Sequence, residues 1–291
     1  MEVFHIYATI AAFGYAVGAV FSKQALLRGA GILRLSFCVN FAFVPVFTTL
    51  LFRSEGPVPW ALLYQPVITG LLFFLGQLFT FAAIRIGDVS LQTPMMGTKA
   101  VFAVLIAVIC GTETVDLPLF TAATVAMLGV VFLGFSGSGS ERIGLPITLA
   151  GLSSLFFAGS DTMVGYYAGS FGVASFLFIA VLTNALLSLF LIPYFRQPIR
   201  MLPKEAWPWI LAACLLMALQ ALLLNDTLGR FQHVAEVNVL YSTRGLWSVV
   251  LGALALQFFR QDAQQNQKRI YILRFIGALL MCLAIAILFK S

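Results

Sequence analysis

The sequence predicts an all-α polytopic membrane protein of ten transmembrane helices, arranged as two inverted five-helix repeats. Three observations carry that expectation. Of 291 residues, 61% are hydrophobic and only 10% charged, and mean hydropathy is +0.99. A water-soluble domain needs more charge to cover its surface. Apolar runs recur along the chain at about 20 residues, the length that crosses a bilayer core about 30 Å thick. Polar residues inside those runs repeat at about half the chain length.

In lipid every backbone polar group is satisfied within the span, so helices and closed barrels are the available solutions. The runs are continuously apolar and do not alternate, which excludes a barrel. The chain opens Met1-Glu2-Val3 with no basic segment ahead of the first run, so that run reads as a true span and not a removable signal. The ten spans are expected at about 4–22, 32–52, 64–84, 89–110, 117–136, 143–166, 171–194, 206–226, 234–259 and 270–289. Pro57, Pro59, Pro118, Pro146, Pro203 and Pro208 lie near span starts, where proline costs least. Residues 136–140 read Ser-Gly-Ser-Gly-Ser, the one linker-like stretch. It gives a first repeat over 1–136, a linker over 137–142 and a second repeat over 143–291, in one integral membrane domain. Trp60, Trp207 and Trp209 fall near span starts and fit an interfacial belt.

Orientation follows from basic residues. Lys23, Arg28, Arg34, Arg85, Arg142, Arg196, Arg200, Lys204, Arg260, Lys268, Arg269 and Arg274 lie on one side, against Arg53, Arg230 and Lys290 on the other. The basic side is expected to be cytoplasmic, with both termini on the opposite side. The net charge of +6 is thereby spent on topology, and nucleic acid is not an expected partner.

The repeat emerges when Val89–Lys99 is set over Val234–Arg244. Thr98-Lys99 then falls on Thr243-Arg244. Asn40 matches Asn184 and Gln77 matches Gln220 at nearly the same offset. Five spans per half is an odd number, so the second half enters the membrane from the opposite side. Inverted repeats of this kind are typical of transporters, with sites near the midplane between the halves. Lys99 and Arg244 each lie ten residues into their spans. That is about 15 Å deep, half of the hydrocarbon core.

Two halves of five spans, the segment Ala83 to Val115 with Pro94 and Glu113, and the glycine-bearing first span resemble the EamA-like branch of the drug/metabolite transporter superfamily. The resemblance covers nearly the whole chain. It implies a central cavity that opens alternately to each side, in a bacterial cytoplasmic membrane. Lys99 and Arg244 are similar to the cations of the organophosphate and nucleotide-sugar carriers of that superfamily. The chain departs from the family at Gly111-Thr112-Glu113, where Gly-Glu is usual, and in its nearly absent basic loop after the second span.

A cation at the bilayer centre is costly and needs an anionic partner. Lys99 and Arg244 therefore read either as a two-pronged clamp on an anionic solute or as members of a structural ion pair. Asp161 can reach either of them from the sixth span. Glu236 stands eight residues from Arg244, about 12 Å along one helix, too far to pair directly. Asp161 and Glu236 are the candidates for ion coupling. Asn40, Asn184, Gln77 and Gln220 either line a cavity or hydrogen-bond between helices. Tyr241 and Trp247 share a face with Arg244, and Met96 shares one with Lys99; these side chains stack on a planar solute or pack the core. Gly14-x-x-x-Gly18 and Gly165-x-x-x-Gly169 allow close helix approach, within a monomer or in a homodimer.

No Walker motif, metal-ligand spacing or cluster of acid and base groups is present. No enzyme activity, cofactor or metal is expected. Cys38, Cys110, Cys214 and Cys282 lie in apolar runs and read as small hydrophobes. The expected function is secondary transport of a small organic solute, anionic or zwitterionic, carrying a carboxylate or phosphate. The alternatives are a flippase for a phosphate-bearing lipid, or an exporter of neutral or aromatic metabolites or drugs with purely structural midplane cations.

Overall fold

The computed structural model describes residues 2–52, 56–86, 98–111, 116–134, 144–247, 250–251 and 267–288. Met96, the segment 89–97 used in the repeat alignment and the linker at 137–142 lie outside these residues. The described residues are helical with no strand. They contain ten α-helices of eight residues or more. These are α1 (Val3–Leu27), α2 (Ile32–Leu51), α3 (Tyr64–Ile86), α4 (Thr98–Cys110) and α5 (Leu117–Gly134), then α6 (Gly144–Phe171), α7 (Val173–Leu187), α8 (Trp207–Phe231), α9 (Val234–Tyr241) and α10 (Gln267–Leu288). Six helical segments are long and apolar enough to cross a membrane: Val3–Leu27, Ile32–Leu51, Trp60–Ala83, Ile147–Phe171, Val173–Tyr194 and Lys204–Phe231. The chain is an all-α, multi-pass membrane protein.

Packing follows lipid rules. Lipid tails are as apolar as leucine, so helices associate through small residues that let backbones close up. Ala8, Ala11, Ala12 and Ala16 of α1 are fully buried, while Val3, Ile6, Ile10 and Phe13 of the same helix are exposed. On α5, Ala122, Ala123 and Ala126 are likewise buried, and α10 meets them with Met281 and Ala284. The closest helix pairs are α1 with α8, α3 with α6, and α5 with α10. Further contacts join α2 to α7 and α8, α3 to α7, α4 to α6, α1 to α9, and α4 to α9.

The small-residue patterns lie in these contacts. A Cβ added at Gly14 would lie 3.1 Å from Gln220 Cβ, and one at Gly18 would lie 3.3 Å from Met217. Both glycines therefore bring α1 onto α8. Gly165 faces Val234, and Gly169 faces the Gln232 side chain.

The helices differ from the expected spans in three places. The sixth and seventh spans were expected to be separated by a short loop at 167–170. Instead α6 continues to Phe171, and Gly172 alone, at φ +99°, turns the chain into α7. Glycine reaches that φ without a Cβ clash. The seventh span continues beyond Leu187 as a 3₁₀ helix over Ser188–Tyr194, which contains Pro193.

The ninth span was expected as one helix over 234–259. It breaks after Tyr241 and resumes as a helical turn at residues 244–247. Across the break the bonding tightens from i→i−4 to i→i−3. Thr243 N–H donates to Leu240 O at 3.0 Å, and Gly245 N–H donates to Ser242 O at 3.0 Å. Regular bonding returns with Trp247 N–H to Thr243 O at 3.1 Å. The Ser242 and Thr243 hydroxyls donate back to Asn238 O and Leu240 O, at 2.9 and 2.7 Å. Such back-bonding competes with the backbone ladder and bends helices. Of the four cysteines, Cys214 is buried, Cys38 half-buried, and Cys110 and Cys282 exposed.

Candidate functional site

The buried stripe of α4 comprises Lys99, Ala100, Ala103, Val104 and Ala107. Its pitch turns Lys99 inward, toward α6 and α9. Asp161 answers from α6. Lys99 Nζ lies 2.6 Å from Asp161 Oδ2, and both side chains are more than nine-tenths buried. A pair so enclosed exchanges its hydration for one short, charge-assisted contact. Of the two cations within possible reach of Asp161, the structure pairs it with Lys99.

Arg244 follows the break in the ninth span. Its guanidinium Cζ lies 4.6 Å from the ring centre of Tyr241 and 4.9 Å from that of Tyr15 on α1. The two rings meet edge to face, with centres 6.1 Å apart. Among the described residues no carboxylate lies within ion-pair distance of Arg244. Cation–π contact with these two rings is the form its stabilisation takes here.

Tyr241 joins the two cations. Its ring centre also lies 5.5 Å from Lys99 Nζ, so the ammonium and guanidinium are no further apart than the sum of the two ring distances. Its hydroxyl donates to Gln220 Oε1 at 2.9 Å. Gln220 Nε2 in turn donates to Met217 O at 3.1 Å. Phe157 of α6 stands 6.0 Å from Lys99 on another side. One enclosure is thus assembled from α1, α4, α6, α8, α9 and the turn after α9. Its described charges are two cations and one carboxylate, a net charge of one positive.

The remaining candidates lie apart from it. Asn40 and Gln77 bond reciprocally between α2 and α3. Asn40 Nδ2 donates to Gln77 Oε1 at 2.7 Å, and Gln77 Nε2 donates to Asn40 Oδ1 at 2.9 Å. Asn40 also donates to Ser188 Oγ at 2.7 Å. This is the interhelical role for both amides. Asn184 behaves differently. It is 1% exposed, and neither amide atom has a hydrogen-bond partner among the described residues. It lines a narrow pocket with Phe43, Phe47, Phe73 and Asn225.

Glu236 lies between two histidines, 3.5 Å from His5 Nε2 and 3.6 Å from His233 Nδ1. That cluster sits at the N-terminal ends of α1 and α9, one end of the bundle. Trp247 packs edge to face on Phe13, with centres 5.3 Å apart. Sequence reasoning singled out neither Tyr15 nor Phe157. Tyr15 is one aromatic among many in an apolar run, with no charged residue within a helical turn to mark it; Phe157 stands one turn before Asp161, a signal that could have found it.

No family model matches the chain, and no curated protein matches it. Solved structures do. One, described only as the crystal structure of a protein, is 18% identical and superposes with a TM-score of 0.67 over 96% of this chain and 97% of its own. The chain has the same fold as that protein along nearly its whole length.

Proposed function

We propose that the chain is a secondary transporter of the EamA-like, drug/metabolite type, which moves a small organic anion or zwitterion by alternating access. The observation that carries the reading is the enclosure around Tyr241. Lys99, buried, and Arg244, half-buried, share it with one carboxylate, and Arg244 has no carboxylate partner among the described residues. Buried charge inside a membrane bundle is costly and marks solute pathways. A solute carboxylate or phosphate fits the guanidinium fork of Arg244.

The helix contacts support an inverted repeat. Exchanging α1–α5 for α6–α10 turns the α1–α8 contact into α6–α3, the α2–α8 contact into α7–α3, and the α1–α9 contact into α6–α4. The α2–α7, α4–α9 and α5–α10 contacts map onto themselves. Broken helices at the junction of two repeats are a recurring device of such transporters, and the ninth span breaks beside Arg244. The basic-residue bias favours termini on the non-cytoplasmic side of a bacterial inner membrane.

A second reading rests on the 2.6 Å Lys99–Asp161 contact. If the cations are structural, the transported solute is a neutral or aromatic metabolite.

Thermal melts of purified protein with carboxylated, phosphorylated, neutral and cationic metabolites separate the two readings, because a ligand of the native state raises Tm by mass action. The anion reading expects carboxylates or phosphates to stabilise wild type, with the response lost in folded Lys99→Ala and Arg244→Ala. Stabilisation by neutral compounds alone, unchanged in both variants, favours the second reading.

A further inference from the structure

We infer that Asp161 sets the charge of the transported anion at one, so that the site accepts organic monoanions such as carboxylates and rejects dianions such as phosphate monoesters. This inference rests on the anion reading of the same site. Among the described residues, the charged groups of the enclosure are Lys99, Arg244 and Asp161; Tyr15, Tyr241 and Gln220 are its neutral polar members. Lys99 and Asp161 cancel each other at 2.6 Å, with both side chains more than nine-tenths buried. Among the described residues no carboxylate pairs with Arg244, which keeps its charge.

A monoanion on Arg244 brings the enclosure to neutrality. A dianion leaves one net negative charge beside the rings of Phe157, Tyr15 and Tyr241, with the carboxylate of Asp161 close by. Uncompensated buried charge is the most expensive species a protein interior can hold. Lys99 cannot compensate the second charge without releasing Asp161, and that release only moves the unpaired charge onto α6. Asp161 is therefore the specificity filter: it offsets Lys99 and holds the enclosure at one net positive charge.

The filter is tested with two small oxyanions of the same tetrahedral head and different charge, methanesulfonate and sulfate. Neither is protonated between pH 6 and 8. Binding is measured by isothermal titration calorimetry on detergent-purified protein, with Arg244→Ala as the blank. Wild type is expected to favour methanesulfonate. Asp161→Asn raises the net charge of the enclosure to two and is expected to shift the ratio of affinities toward sulfate by about tenfold or more, about 1.4 kcal/mol. The double variant Lys99→Gln/Asp161→Asn keeps the net charge at one, removes the ion pair and is expected to keep the wild-type preference. It also serves if Asp161→Asn alone fails to fold.

An unchanged ratio in Asp161→Asn, or a sulfate preference in wild type or in the double variant, overturns the filter while Arg244-dependent binding leaves the anion reading standing. Absence of Arg244-dependent binding of either probe to every variant overturns both.

Discussion

The Tyr241 hydroxyl is bonded to the Gln220 side-chain oxygen at 2.9 Å, and this single bond ties the last turn of α9 to the middle of α8. Tyr241→Phe removes the donor, keeps the ring beside both cations and leaves a buried amide oxygen without its partner. A loss of about 1–3 kcal/mol in stability is expected, with affinity for a bound anion changed by less than about threefold. Tyr241→Leu removes the ring as well. It is expected to weaken anion binding strongly, because Arg244 loses one of its two aromatic contacts. Thermal melts and calorimetry on the two variants separate the roles of hydroxyl and ring. Equal anion affinities in both variants sink the assignment.

The Lys99–Asp161 pair yields a double-mutant cycle. Each single neutralisation, Lys99→Gln or Asp161→Asn, leaves one buried charge alone and is expected to cost about 3–5 kcal/mol. Removing both together is expected to cost much less than the two single losses combined. Unfolding in detergent with urea provides the measurement. Additive losses mean that the two groups are not a functioning pair.

Two asparagines that match each other in the repeat are expected to respond in opposite ways. Asn40→Leu breaks the reciprocal bonds with Gln77 and the bond to Ser188, and strands their partners. It is expected to destabilise by about 1–3 kcal/mol. Asn184→Leu removes an amide that is buried without a partner among the described residues. Stability is expected to hold or rise, since an unmet buried amide carries a desolvation cost of about 1–3 kcal/mol on mutational scales. Parallel melting curves decide the matter, and a large loss in Asn184→Leu reveals a partner.

Gly14→Val puts a branched side chain where a single Cβ already lies 3.1 Å from Gln220 Cβ. Overpacking is expected to cost about 1–3 kcal/mol, and the displaced Gln220 also loses its grip on the Tyr241 phenol. The loss in Gly14→Val is therefore expected to overlap with that in Tyr241→Phe and not to add to it. Strict additivity in the combined variant shows that the α1–α8 contact and the site are independent.

Much of this architecture was legible in the sequence because lipid imposes simple conditions. A span has to be about 20 residues long and apolar, so six long apolar helices appear where runs of that length lie. Lys99, Arg244 and Tyr241 were marked by their spacing in the repeat and along one helix face, and the Tyr241 ring lies beside both cations. The choice of Lys99 over Arg244 as the partner of Asp161 was not legible, since the sequence places each cation ten residues into its expected span and only the packing of α4 on α6 separates them. The turn at Gly172 was hidden among the glycines of Gly165, Gly169 and Gly172, any of which can end a helix. The break after Tyr241 was hidden because Ser242 and Thr243 carry no proline and bend the helix only through their hydroxyls. Tyr15 was invisible, because an aromatic ring is noticed as a cation's partner only once the cation is in place.

The tightened turn after α9 also makes that span a short screw. A 3₁₀ turn advances about 120° and 2.0 Å per residue, where an α turn advances about 100° and 1.5 Å. Exchanging the i→i−3 bonds of Thr243 and Gly245 for i→i−4 bonds changes the winding of three residues. Over three residues that difference amounts to about 60° of rotation and about 1.5 Å of rise. Arg244 rides on that thread. The position of its guanidinium over Tyr15 is therefore tied to which backbone hydrogen bonds the turn makes, and not to side-chain contacts alone.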